Sequence, residues 1–171
     1  MFNKYIKLVI AAGILVWAVF QFIDGNIMNG ISIVLLSGIF VLFYFKNEFI
    51  LLAFLQLRKQ NFAGADKWLS YIKNPESALI KKQQGYYNFL KGIMVSQTNI
   101  NQAEKYFKKA LSLGLNMKHD IAMAKLQLAG IAMSKRRKRE ATTLINEAKK
   151  LDTQNILTDQ IKMLKDQLKK I

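Results

Sequence analysis

His119 and the aspartate that follows it, Asp120, are the residues of this sequence whose types come closest to catalytic chemistry. A histidine beside a carboxylate can move protons or activate a nucleophile. However, His119 is the only histidine, cysteine is absent, and no residues show the spacing of metal ligands or of a Gly-rich phosphate loop. We therefore expect "KHD" to contribute to the start of a helix. We predict that the chain is not an enzyme and holds no metal ion or cofactor.

The densest run of charge, "SKRRKRE" at residues 134–140, points to a different chemistry. Clustered basic residues attract the phosphates of RNA, a ribosome or anionic lipids. The same run is also typical of a solvated turn between two helices, and no aromatic residues alternate with it as they do in a platform for single-stranded bases. We expect a turn, which can still carry a contact. The candidate basic patch is Lys135, Arg136, Arg137, Lys138 and Arg139.

The elements that position these residues are predicted to be helices. The chain of 171 residues has one proline and nine glycines, and so few turn formers favour an all-α protein. Its formal net charge is +15, although 51% of its residues are hydrophobic. The two properties separate along the chain, because before Lys46 the charged side chains are Lys4, Lys7 and Asp24. We predict a membrane domain at residues 1–46 and a basic domain at 47–171.

Two apolar segments of 19 residues, 5–23 and 27–45, make up the predicted membrane domain. Each forms a helix of about 28 Å, close to the ~30 Å hydrocarbon core of a bilayer. A cleaved signal peptide is disfavoured, since no small-x-small cleavage site follows and a second apolar segment begins within a few residues. Two core helices of a soluble protein are also disfavoured, since too little chain remains to surround them.

Turn-forming residues at 24–30 join the two segments into a predicted hairpin. This connection has no Lys or Arg, whereas Lys4 and Lys7 lie at the start of the first segment and Lys46, Arg58 and Lys59 follow the second. By the positive-inside rule, both ends of the hairpin are expected on the cytoplasmic side. Small residues that would let the two helices approach closely are Ala11, Ala12, Gly13, Ser37 and Gly38.

The remaining sequence repeats itself at an offset of 38 residues. "NFAGADKWLSYI" from 61, "NINQAEKYFKKA" from 99 and "RKREATTLINEA" from 137 align, so that Ala65, Ala103 and Ala141 coincide. Large or apolar residues recur 3, 4 and 7 positions after each alanine, which is one face of a helix. Leucines align upstream at 52, 90 and 128. Each unit is therefore predicted to be a helix, a short turn and a second helix.

This pattern resembles the tetratricopeptide repeat (TPR), a family of helical hairpins that stack into a solenoid. The third unit matches the family at Leu128, Ala129, Ala132, Ala141, Ile145 and Ala148. Its period of 38 departs from the usual one of about 34, and the alternative is a generic helical-hairpin bundle. The resemblance implies about three repeats. A polar cap is expected at 155–171, with Ile156, Ile161, Leu164 and Leu168 on its apolar side.

TPR domains typically bind peptides in a concave groove lined by their first helices. The resemblance places in that lining Ile50, Phe54, Leu57, Asn88, Val95, Leu126 and Met133. We therefore expect an integral membrane protein, of the inner membrane if bacterial, whose cytoplasmic domain is a scaffold that recruits an unidentified protein partner. No small-molecule substrate is expected. The alternative is a basic module at the membrane surface that binds ribosome, nucleic acid or anionic lipid.

Overall fold

The chain is helical, as its composition predicts. The computed structural model describes residues 4–45 and 47–170, and over these residues it contains ten helices and no strand. The helices are α1 (Lys4–Ile23), α2 (Ile27–Phe45), α3 (Glu48–Arg58), α4 (Phe62–Ser70), α5 (Pro75–Ala78), α6 (Lys81–Val95), α7 (Ile100–Leu113), α8 (Lys118–Ser134), α9 (Lys138–Leu151) and α10 (Thr158–Leu168). Lys46, at the predicted domain boundary, lies outside the described residues. The chain forms two compact units, residues 1–83 and 84–171.

In the first unit, α1 and α2 form a hairpin closed by a tight turn. Gly25 takes a left-handed conformation there (φ 79°), which a residue without a Cβ adopts readily. The buried Ser37 donates a hydrogen bond from its Oγ to the carbonyl oxygen of Ala11, at 3.0 Å. Ala11 and Ser37 thus make the close approach predicted for small residues. The other three candidates, Ala12, Gly13 and Gly38, are exposed.

Both helices of the hairpin are long and apolar enough to cross a membrane. The segments Tyr5–Ile23 and Ile27–Tyr44 have mean hydropathies of 2.2 and 2.1. Most of their large apolar side chains point outwards, among them Val9, Leu35 and Leu42. Apolar side chains on the outer surface are what is expected of helices that could cross a membrane.

Helices α3 and α4 pack against each other after the hairpin. Asn47 caps α3, because its side-chain oxygen accepts hydrogen bonds from the backbone N–H groups of Phe49 and Ile50 at 3.1 and 3.3 Å. The buried residues of the two helices include Ile50, Ala53, Ala65 and Leu69. Small residues at two of these four positions allow the helix axes to approach closely.

In the second unit, α6 and α7 meet through two phenylalanines. The rings of Phe89 and Phe107 lie edge to face at 6.0 Å. Gly92 leaves room for this contact, since a Cβ added there would lie 2.9 Å from the ring of Phe107. Further along the chain, α8, α9 and α10 share one hydrophobic core.

The 38-residue period recurs in the structure. Helices α4, α7 and α9 begin at Phe62, Ile100 and Lys138, which are 38 residues apart. The three aligned alanines are buried, and so are the residues four and seven positions later: Leu69, Phe107 and Ile145, then Ile72, Ala110 and Ala148. The predicted helix register is therefore confirmed, and so is burial at the alanine and at the positions four and seven residues later. The residues three positions after the alanine, Trp68, Tyr106 and Leu144, are only half-buried. The assignment to the TPR family stays a prediction.

The C-terminal helix α10 packs on α8 and α9, and Ile161, Leu164 and Leu168 join their core. The prediction that Ile156 shares this apolar side is wrong, because Ile156 is exposed and Leu157 is buried. The carboxylate of Asp152 accepts hydrogen bonds from the backbone N–H groups of both residues, at 3.1 and 2.9 Å. This bonding fixes the turn before α10 so that Leu157 faces the core.

Candidate functional site

Burial divides the seven predicted groove residues into two sets. Four of them are buried, namely Ile50, Asn88, Leu126 and Met133. Leu126 and Met133 belong to the core of α8, α9 and α10, and the side chain of Asn88 donates to the carbonyl of Gln84 at 2.7 Å. Phe54 is exposed, and Leu57 and Val95 are half-buried. The candidates that remain accessible are therefore Phe54 and Leu57 in the first unit and Val95 in the second.

The basic run lies at the turn between α8 and α9. Residues 135–137 connect the two helices, with Arg136 in a left-handed conformation (φ 56°), and Lys138 and Arg139 begin α9. Two acids bind part of this run, Glu140 of α9, which pairs with Arg137 at 3.4 Å, and Glu104 of α7. Glu104 is the acid that comes from another helical hairpin. Its carboxylate contacts the Lys135 amine at 2.5 Å and the Arg137 guanidinium at 3.1 Å.

Glu104 also binds Lys108 of its own helix at 2.6 Å, so three cations surround one carboxylate. Hydrogen bonds from Lys108 and Lys135 lower the pKa of Glu104 from 4.5 to about 2. The side chain of Glu104 is 12% exposed. The cluster ties α7 to the turn between α8 and α9, which is a structural role for part of the basic patch.

Replacing Glu104 by glutamine should destabilise the protein at neutral pH. The lowered pKa means that the ionised carboxylate stabilises the fold above about pH 4.5, and that this contribution disappears as the pH falls towards 2. Because the three cations are partly exposed and water screens them, we expect a loss of about 1 to 2 kcal/mol at pH 7. Thermal unfolding of the full chain in detergent, followed by circular dichroism from pH 7 to pH 2, measures it.

Asp166→Asn is the matched control for this substitution. Asp166 also pairs with a lysine, Lys169, at 3.1 Å, but both side chains are well exposed. An exposed pair three residues apart should contribute at most about 0.5 kcal/mol. If Glu104→Gln unfolded at the same temperature as Asp166→Asn at every pH, the Glu104 cluster would not hold the two elements together.

The solvent-facing positions of α7 and α9 are basic or neutral. The three acids of these helices, Glu104, Glu140 and Glu147, are all half-buried and all accept an intramolecular ion pair. The exposed positions of α9 carry four cations, Lys138, Arg139, Lys149 and Lys150, with Thr142, Thr143 and Asn146 between them. We call these seven residues the α9 stripe. Cations mixed with hydroxyl and amide groups suit the binding of phosphate oxygens.

His119 lies in the first turn of α8, as predicted for the "KHD" stretch. The neighbouring Asp120 interacts with a residue of another helix. Its carboxylate accepts a hydrogen bond from the hydroxyl of Tyr86 in α6 at 2.6 Å. Burial and this carboxylate raise the pKa of Tyr86 to about 12. The Tyr86 hydroxyl also accepts from the Asn116 backbone N–H at 3.2 Å. Asp120 therefore anchors the start of α8 to α6.

Beside His119 is a cavity of about 420 Å³. Nδ1 of His119 is buried and has no hydrogen-bond partner in the part of the chain that the structure describes. The cavity is lined by the start of α8 and the end of α9, through Met117, Lys118, His119, Leu151, Asp152, Thr153 and Gln154. Among the described residues, no group of three His, Asp or Glu side chains could hold a metal ion.

Sequence reasoning located the basic run and missed Glu104, the acid of α7 that binds it. The two are 31 and 33 residues apart, and the repeat alignment gave no sign that they meet. The α9 stripe could have been found, since its members follow a helical spacing without an acid on that face. Comparison of the chain with family models, with curated proteins and with solved structures gives no match.

Proposed function

We propose that the chain is a membrane-anchored scaffold, whose apolar hairpin inserts into the bilayer and whose TPR-like helical hairpins recruit a protein partner to the cytoplasmic face. One observation carries this proposal. The same chain contains a hairpin with an apolar exterior and, after it, helical hairpins that repeat every 38 residues. Stacked helical hairpins present extended surfaces to partners. The basic residues around the hairpin ends, with none in the turn at 24–26, support a cytoplasmic placement of the helical hairpins.

A site-specific photocrosslinker tests the recruitment. Val95 is a half-buried groove candidate near the end of α6, and Gln160 of α10 is an exposed polar position outside the predicted groove. With the crosslinker at Val95 of the full chain in native membranes, we expect one discrete adduct with another protein, and with the crosslinker at Gln160 none. Equal adduct patterns at the two positions, or no adduct at Val95, would contradict a partner in the groove.

The α9 stripe favours a second candidate function, the binding of a phosphate-bearing polyanion such as RNA at the membrane surface. Each lysine that contacts a phosphate releases a counterion, so affinity should fall steeply with salt. A groove contact made by apolar residues should change little over the same range of salt. This difference separates the second candidate from the scaffold.

Neutralising the α9 stripe should weaken RNA binding if the second candidate is right. We expect the variant with Lys138, Arg139, Lys149 and Lys150 all changed to glutamine to lose binding at least tenfold. The magnitude of the slope of log affinity against log salt should fall by about 3, since each phosphate contact on a single strand contributes about 0.7. Labelled single-stranded RNA, titrated against the full chain in neutral nanodiscs, measures both quantities.

The control removes the same charge from the C-terminal segment, with Lys162, Lys165, Lys169 and Lys170 changed to glutamine. An equal loss in the two variants would show that net charge alone matters and that the stripe is not a site. No RNA binding by the unmodified chain at low salt would rule out RNA as a ligand. Competition by nanodiscs that contain phosphatidylglycerol, compared with neutral nanodiscs, distinguishes lipid phosphate from RNA phosphate.

A further inference from the structure

An apolar face of α3 is exposed and is not covered by the other described residues of the first unit. Leu51, Phe54 and Leu55 are 52%, 37% and 44% exposed, and their spacing of three and four residues places them on one side of the helix. We call these three residues the α3 outer face. The other side of α3 packs on α4 through Ile50 and Ala53. Three adjacent large apolar side chains in water signal a surface that contacts something else.

An ion pair fixes where α3 begins. The amine of Lys7 in α1 contacts the carboxylate of Glu48, the first residue of α3, and also the carbonyl oxygen of Phe43 at 3.2 Å. The start of α3 is therefore level with the last turn of α2 and the second turn of α1. Lys7 is close to the end of a segment that is long enough to cross the hydrocarbon core.

The short distance from Glu48 to the outer face limits how far that face can lie from the membrane. At about 1.5 Å per residue, Leu55 is roughly 10 Å from Glu48 whatever the direction of α3. The headgroup layer extends about 5 to 8 Å beyond the hydrocarbon on each side. Leu51 therefore lies within reach of this layer for any tilt of the helix, and the side chains of Phe54 and Leu55 reach it unless α3 stands upright.

A basic residue beside the α3 outer face fits the same layer. The aromatic cluster of Phe49, Trp68 and Tyr71 lies on the opposite side of α3, where that helix packs on α4, and is not part of the outer face. Arg58 is exposed one turn beyond Leu55, at the position where a guanidinium would meet lipid phosphates. An apolar face that ends in a cation is typical of a helix lying in the interface.

We infer that the α3 outer face is inserted into the headgroup and acyl boundary of the bilayer that holds the hairpin. The occupant of this face is lipid, and α3 is a third membrane-bound element of the anchor. The inference rests on the proposed insertion of the hairpin. It removes Phe54 from the groove residues that could contact a protein, and leaves Leu57 and Val95.

Single-cysteine labelling tests the inference, since the chain has no cysteine of its own. An environment-sensitive fluorophore is attached to the full chain at Leu55→Cys, at Leu35→Cys or at Gln160→Cys, and each protein is placed in phosphatidylcholine nanodiscs. We expect lipid brominated near the headgroup to quench the label at 55, and lipid brominated near the chain end to quench the label at 35. Aqueous iodide should quench the label at 160 and leave the other two largely unquenched.

Each other outcome has a definite meaning. If iodide quenched the label at 55 as strongly as the label at 160, while the label at 35 remained in lipid, the anchor would stand and the inference would fail. A label at 55 that is shielded from both quenchers would indicate a protein on the face, which also overturns the inference. If lipid did not quench the label at 35, the hairpin is not inserted and both proposals fail.

A second variant tests whether quenching at residue 55 depends on the apolar side chains beside it. With the label at 55, Leu51 and Phe54 are changed together to serine, which removes most of the apolar area of the face. Burial of apolar area in lipid contributes about 25 cal/mol per Å² to membrane binding, and the variant loses that contribution. We expect lipid quenching at 55 to fall about twofold or more with unchanged helical circular dichroism, since neither residue lies in the core. Unchanged quenching would overturn the inference.

Discussion

Replacing Gly85 by alanine should lower the melting temperature of the helical hairpins sharply. A Cβ at residue 85 in α6 would collide with the carbonyl oxygen of Gly114 and would also lie 3.3 Å from the carbonyl oxygen of Ala110. Both obstacles are backbone, and Gly114 ends α7 in a left-handed conformation (φ 91°), so neither can move without separating the helices. We expect a loss of about 2 to 3 kcal/mol, or roughly 10 to 20 °C for a unit of this size.

Gly130→Ala is the matched control for this prediction. Gly130 lies in the interior of α8, and a Cβ built there has nothing within 4 Å. The same substitution should therefore stabilise the helix, by about 0.5 to 1 kcal/mol. Thermal unfolding of the full chain in detergent, followed by circular dichroism, compares the two. If the melting temperature fell by a similar amount in both variants, the close contact of α6 with the end of α7 would not be the reason that residue 85 must be glycine.

The part of the fold that the sequence predicts is the part fixed by local periodicity. Ala65, Ala103 and Ala141 recur with larger apolar residues at helical spacing, and burial follows that pattern because a helix can hide only one side against its neighbour. The hairpin was predictable for a similar reason. An apolar segment of 19 residues without a proline favours one long helix, which is also long enough that it could cross a membrane.

The features that the sequence did not predict depend on how the helices pack against one another. Glu104 reaches Lys135 because α7 packs on α8, and no period in the sequence relates the two residues. Leu157 replaces Ile156 in the core because a side-chain carboxylate, that of Asp152, sets the turn before α10. The groove assignment depended on which side of α8 faces α9. Leu126 and Met133 are on that side, which a family pattern of small residues alone does not determine.

The two apolar surfaces of the first unit differ in extent. The hairpin exposes apolar residues around its whole outer surface, and the transfer of such a surface out of water is favourable. The α3 outer face is one side of one helix. The hairpin is therefore the place where a single charge should have the largest effect on the whole molecule.

Replacing Leu35 by arginine should stop α2 from inserting. Leu35 lies near the middle of α2 and is 68% exposed. An arginine at the centre of a membrane helix costs about 3 kcal/mol on the insertion scale, which is roughly a hundredfold in the ratio of inserted to non-inserted helix. A C-terminal reporter that is active only in the cytoplasm, combined with alkaline extraction of membranes, measures the result. The unmodified chain should be membrane-bound with an active reporter, and Leu35→Arg should lose one or both properties.

Ile6→Arg adds the same charge at the end of α1 that is predicted to be cytoplasmic, and it should leave both properties unchanged. Ile6 is also exposed, but an arginine there can extend its guanidinium to the headgroups and adds to the positive charge on that side. If Leu35→Arg behaved like Ile6→Arg, α2 would not be surrounded by lipid, since the cost depends on depth. An inactive reporter on a membrane-bound unmodified chain would instead place the helical hairpins on the opposite side, where no cytoplasmic partner could meet them.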